Sequence, residues 1–129
     1  MGKMILNGKE YAGSGSEWHE YSTDEKIVGK WIDGKPIYEK VINIGHNYDS
    51  ASGDVRPLNY SITDLHIDTV IKYFGWRVTL KRCLPYVTHL VRWSDYLFVA
   101  SDAIQLRTGV ELGYSDDSYV AIQYTKTTD

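Results

Sequence analysis

The dipeptide Asp33-Gly34 sits between two segments of strand character, Glu25-Lys26-Ile27-Val28-Gly29-Lys30-Trp31-Ile32 and Lys35-Pro36-Ile37-Tyr38-Glu39-Lys40-Val41-Ile42. A two-residue Asp-Gly connection favours the primed turn whose twist matches that of paired strands, so the chain is predicted to double back here as an antiparallel hairpin. This register sets Trp31 opposite Pro36 and Gly29 opposite Tyr38, with the Trp31 ring diagonal to Tyr38 and able to cover Gly29. Val28, Ile32 and Ile37 share the other face with Lys30 and Glu39. Both faces are therefore semi-apolar, and both are expected to be covered at least in part. Pro36 has no N–H to give to a ladder and marks an edge position. Trp31 is expected to be buried, either in a core or at a subunit contact.

The rest of the chain reads the same way. Asn7-Gly8 is a second hairpin signal within Lys3 to Tyr11, and Gly13-Ser14-Gly15-Ser16 after it reads as a flexible joint. Residues 1–16 are thus expected to form an N-terminal β arm with a Gly/Ser hinge, and residues 17–129 the main domain. Gly45 to Asn59 is rich in turn residues and reads as a loop. Ser61 to Asp68 alternates up to Ile67. Asp64 to Phe74 also has helical spacing, but the β-branched cluster Ile67, Thr69, Val70 and Ile71 favours a strand. Further strands are expected over Gly75 to Leu80, Tyr86 to Val91, Tyr96 to Ala100, Ile104 to Thr108 and Tyr119 to Thr125. The nearly continuous apolar run Tyr96-Leu97-Phe98-Val99-Ala100 reads as a central strand. Short strands with regular turn signals predict an all-β fold, an antiparallel, jelly-roll-like β-sandwich preceded by the short arm.

Composition narrows what such a domain does. Its 129 residues are about one domain's worth. Lys+Arg 14 against Asp+Glu 17 leave a formal charge of −3, and no basic run overrides that average, which argues against a nucleic-acid surface. The only cysteine, Cys83, leaves no intrachain disulfide, which suits a reducing compartment. Met1 to Gly8 has no apolar run of signal-peptide length, and no segment approaches the ~20 apolar residues of a membrane helix. Neither secretion nor membrane insertion is expected.

Patterns that carry chemistry are absent. The chain has no Cys-x-x-Cys, no His-Glu-x-x-His and no glycine-rich phosphate loop. His19, His46, His66 and His89 lie on separate segments. Cys83, beside Leu84-Pro85, reads as a buried small hydrophobe rather than a nucleophile. Asp116-Asp117 reads as a solvated turn, with a hard-cation site as the alternative. No catalytic residue, cofactor or metal is expected.

The rings are the distinctive feature: 11 Tyr and 4 Trp stand against 2 Phe, so most carry a polar handle. Such rings suit half-buried strand faces and wet interfaces, and ordinary sheet packing accounts for many of them. Trp18-His19-Glu20-Tyr21 and Trp93-Ser94-Asp95 place rings amid polar neighbours, as sugar-gripping surfaces do. Burial at a subunit interface explains the same residues. The candidate ligand or interface aromatics are Trp18, Tyr21, Trp76, Tyr86 and Trp93. The hairpin residues Gly29, Trp31, Asp33, Gly34, Pro36 and Tyr38 are structural.

Tyr21 to Val41, with its Val28-Gly29-Lys30-Trp31-Ile32-Asp33-Gly34-Lys35-Pro36-Ile37-Tyr38 centre, resembles a "YSxxExxVGxWxDGKPxYxKxI" block of bacteriophage and prophage structural proteins of the tail-fibre, head-fibre or receptor-binding type. Leu106-Arg107-Thr108-Gly109 and Tyr119 to Asp129 are similar to that family's closing "IRTGxD…YVTIxYTKTTD". Ile5 to Tyr11 looks like its first strand, and Leu84-Pro85-Tyr86-Val87 matches a recurrent "LPYV". Trp76 to Trp93 departs from the pattern with more charge and more rings, where a ligand surface would diverge. The block is a folding element, so no functional residue is carried over with it. The resemblance implies a virion component made in the bacterial cytoplasm, a β-sandwich usually assembled as a homotrimer. Its partners would be other virion proteins and a host-surface glycan or protein, and the alternative is a stand-alone carbohydrate-binding module.

Overall fold

The structure is a computed structural model. It describes residues 19–46, 57–78, 81–90, 94–107 and 117–129, together with the backbone of 4–6, 9–11, 48–49, 54–55 and 108. In chain order the strands are β1 Met4–Leu6, β2 Lys9–Tyr11, β3 Lys26–Lys30, β4 Pro36–Gly45, β5 Tyr48–Asp49, β6 Asp54–Val55 and β7 Leu58–Ser61. A 3-10 turn over Thr63–Leu65 leads into β8 Ile67–Arg77, β9 Arg82–Leu84, β10 Asp95–Val99, β11 Ala103–Thr108 and β12 Ser118–Lys126.

Two antiparallel sheets make the sandwich, one ordered β3-β4-β12-β8-β9 and the other β10-β11-β7. Strand β12 takes the middle of the larger sheet because it is apolar on both sides. Val120, Ile122 and Tyr124 enter the core, and Ala121 is buried on the reverse face. Ile42 and Ile44 of β4, Ile67 of β8 and Leu84 of β9 join them against Leu97, Ile104 and Leu106 of the smaller sheet, with Ile62 and Leu65 closing one end. Burying each such side chain stabilises the fold by about 1.5–3 kcal/mol. At Gly75 an added Cβ would lie 2.7 Å from the carbonyl oxygen of Tyr119 on the neighbouring strand β12 and 3.2 Å from Leu97 Cδ2 of the facing sheet.

The hairpin forms, but not in the expected register. Lys30 pairs with Pro36, Gly29 with Ile37 and Ile27 with Tyr38, leaving Val28 as a bulge. The loop is Ile32-Asp33-Gly34, closed by Gly34 N donating to Trp31 O at 2.9 Å and Trp31 N to Lys35 O at 2.8 Å. Gly34 has φ +89°, the left-handed residue that completes a three-residue loop. Asp33 Oδ1 accepts from Lys35 N at 2.9 Å, and this local bond helps set the longer loop. Nor is the hairpin covered on both faces: all five β3 residues are exposed, Ile32 is 91% exposed, and Trp31 is only half-buried.

Other expectations shift in the same way. Ser61 to Asp68 is broken by the 3-10 turn and by His66 at φ +54°. The segments expected around Ile67 and Gly75 merge into the single eleven-residue strand β8. Among the described residues of the expected strand Tyr86 to Val91, the pairing is the single bridge Tyr86–Asp95, and the strand in this region is Arg82–Leu84. Tyr96–Val99 is an edge strand, with Phe98 exposed, because the central place in its sheet goes to Ile104–Leu106, whose isoleucine and leucine are fully buried. Cys83 is exposed, since Leu84 takes the inward position of β9. The Leu84-Pro85 bond is cis. β1 and β2 pair as expected, with Leu6 opposite Lys9 across the Asn7-Gly8 position. The Gly13–Ser16 joint lies outside the described residues.

Candidate functional site

Alternation in β4, β8 and β12 sends one set of side chains to the core and the other to the outer face of the larger sheet. Strand register then arranges the outer set in rows. One row runs Cys83, Trp76, Tyr119, Asn43; the next Phe74, Ala121, Val41; the third Lys72, Gln123, Glu39, Lys26. Trp76 and Tyr119 stack, with centroids 5.6 Å apart and planes 15° from parallel. Phe74 adjoins Trp76 at 5.9 Å.

The segment His19 to Asp24 crosses this face as a strap. Val41 N donates to Ser22 O at 2.8 Å, and His19 Nε2 lies 2.8 Å from Glu39 Oε1. Glu39 is 3% exposed and also accepts from Gln123 Nε2 at 2.8 Å, so its buried carboxylate is satisfied. The strap sets Tyr21 edge-on to Phe74 at 5.6 Å. Between strap and sheet lies a cleft of about 260 Å³ lined by Tyr21, Ser22, Thr23, Val41, Trp76 and Tyr119. Beyond Tyr119 in its row, Asn43 Nδ2 donates to Asp117 Oδ2 at 3.0 Å, both residues being exposed.

Of the expected aromatics, Tyr21 and Trp76 are therefore brought together. Tyr86 belongs elsewhere: its ring lies under the Arg82 guanidinium at 4.1 Å, and its backbone pairs with Asp95. Trp18 and Trp93 lie outside the described residues. Phe74, Tyr119 and Asn43 were not singled out from the sequence. The available signal was the alternation Tyr119, Ala121, Gln123 against Val120, Ile122, Tyr124, which puts Tyr119 opposite the core. Asp117 is an exposed, hydrogen-bonded carboxylate, and Asp116 lies outside the described residues.

Two polar clusters lie elsewhere in the structure. Asp95 at the start of β10 is fully buried and accepts from Arg82 Nη2 at 3.0 Å and from Arg77 Nη2 at 3.4 Å, Arg77 also being fully buried. Because β8 and β9 belong to the larger sheet and β10 to the smaller, this cluster ties the layers. At the other end, Tyr124 Oη donates to Glu25 Oε2, and Lys126 Nζ bonds Glu25 Oε1 at 2.6 Å. Burial, then the Glu25 carboxylate, pushes the Tyr124 hydroxyl well above the usual tyrosine range. A second hollow, about 440 Å³, opens at the sandwich side over Ile42, Ile62 and Leu65, with Lys40, Tyr60 and Asp64 among its lining.

Among the described residues no group of three His, Cys, Asp or Glu side chains is placed to hold a metal ion, and no helix is long and apolar enough to cross a membrane. Comparison of the chain with protein-family models gives no match, and comparisons with curated proteins and with solved structures give none either.

Proposed function

We propose that this chain is a bacteriophage virion structural protein, a fibre, tip or decoration component that assembles as a homotrimer and attaches to the host surface without catalysis. The observation that carries the assembly part is the hairpin. The block that resembles fibre-type proteins supplies β3, the terminal strand of the larger sheet, and the loop after it, with Ile27, Val28 and Ile32 all exposed. A free edge carrying apolar side chains is a template for pairing with another chain, and proteins leave such edges open where a partner covers them. The number three comes from the resemblance; the exposed edge asks only for a partner. Repetition about an axis also raises avidity for a repeated surface ligand. The aromatic cleft supports the attachment part, and it equally suits a stand-alone carbohydrate-binding module, which would be monomeric.

Light scattering on the purified chain, together with antibody labelling of intact phage particles, tests the reading. The expected result is a mass of three chains, reduced to one by Ile27→Asp, and label on the particle surface. A monomeric wild type with unlabelled particles overturns it in favour of the stand-alone module.

A further inference from the structure

We infer that the cleft under the Tyr21 strap is a subsite for one neutral hexopyranose ring, gripped between Tyr21 and the stacked Trp76–Tyr119 pair. The assignment rests on the attachment part of the reading above and names its ligand class.

Three features of the cleft select this ligand. First, its lining offers electron-rich ring faces: Trp76 and Tyr119 stand 15° from parallel, and Tyr21 approaches from the strap. The polarised C–H groups on one side of a pyranose pack against such faces. Second, hydrogen-bonding groups stand where a sugar's hydroxyls would reach. Ser22 and Thr23 belong to the lining, and the exposed Asn43–Asp117 pair follows Tyr119 in its row. An amide beside a carboxylate offers both donors and acceptors, which suits neighbouring hydroxyls that themselves donate and accept. Third, none of the six lining residues is charged, so no side chain of the cleft pairs with the carboxylate of an acidic sugar. The size agrees: about 260 Å³ falls below the roughly 300–1,000 Å³ of sites for drug-sized ligands and fits a single ring of a longer chain.

The strap makes the site conditional on fold. Tyr21 is exposed and is positioned by its neighbours, through Ser22 O bonded to Val41 N and His19 bonded to Glu39. It can thus be removed without altering the strand pairing, at the loss of its edge contact with Phe74, whereas Trp76 is itself a residue of β8.

Saturation-transfer NMR of the purified full chain against the methyl glycosides of glucose, galactose, mannose and N-acetylglucosamine, and their short oligomers, tests the site. At least one is expected to bind and to perturb tryptophan fluorescence. Tyr21→Ala and Trp76→Ala are each expected to weaken that binding at least tenfold, with the oligomeric mass unchanged. Tyr21→Ala keeps the test sound if Trp76→Ala fails to fold. Absence of binding by every sugar overturns the subsite, as does binding that Tyr21→Ala leaves unaltered. Capture of a proline-rich peptide in place of sugars, through aromatic-groove recognition, overturns it too. Any of these results, with the trimer and particle labelling intact, removes the sugar site and leaves the virion reading standing.

Discussion

His19 and Glu39, twenty residues apart in sequence, meet at a buried carboxylate: His19 Nε2 lies 2.8 Å from Oε1 and 2.9 Å from Oε2. This contact fastens the strap to the sheet. His19→Ala leaves Glu39 with Gln123 as its remaining described side-chain donor and is expected to cost about 1–3 kcal/mol, the penalty for an under-satisfied buried polar group. His19→Gln, which retains a donor, should recover part of the loss. Urea unfolding measures both, and a wild-type midpoint for His19→Ala would show that the contact holds nothing.

Three glycines should respond differently to substitution. Gly75→Ala drives a Cβ to 2.7 Å from the Tyr119 carbonyl, a backbone atom that cannot swing away, so β8 must shift against β12. The expected loss is about 1–3 kcal/mol. Gly34→Val forces a β-branched residue to φ +89° and should cost about the same. Gly29→Ala meets only Ile37 Cδ1, at 3.7 Å, and should leave the melting temperature close to wild type. Equal melting temperatures for all three variants would contradict this ordering.

Asp95→Ala should be the most damaging of the polar changes. It removes the buried carboxylate that Arg77 and Arg82 share. Loss of one partner of a buried ion pair costs about 3–5 kcal/mol. Thermal unfolding followed by circular dichroism checks it, and a loss below about 1 kcal/mol would mean that the cluster carries little of the link between the sheets.

Stability should fall in alkali through Tyr124. Its folded-state ionisation is pushed above the unfolded value, first by burial and then by Glu25. Below the unfolded value, about pH 10, the hydroxyl is protonated in both states and the contribution is complete. Above it the unfolded chain releases the proton first, and stability declines as pH rises. Tyr124→Phe should flatten that decline, whatever it does at neutral pH. Denaturant midpoints between pH 8 and pH 11 measure the slope, and identical slopes would refute the assignment.

Much of the strand inventory was legible locally. The alternation of Tyr119 to Thr125, the apolar run at Tyr96 to Val99 and the turn at Asp33-Gly34 each identify an element, because side chains on a strand change face at every residue. Which strand lies beside which is a different kind of information. Val28 slips into a bulge and Asp33 bonds its own loop, so the hairpin register differs from the one that the dipeptide alone suggests. Tyr96 to Val99 looks central by composition but is placed at an edge, since burial is settled by competition among all strands.

The candidate site divides along the same line. Sequence alone determined that this chain is an all-β domain rich in amphipathic rings, with Tyr21 and Trp76 among them, because local periodicity and turn chemistry act over a few residues. Only the tertiary structure decided that Tyr119 stacks on Trp76, that His19 reaches back to bury Glu39, and that Asp95 sits between Arg77 and Arg82. Each of these contacts joins residues from separate segments, and their meeting is fixed by sheet order and register rather than by any pattern along the chain.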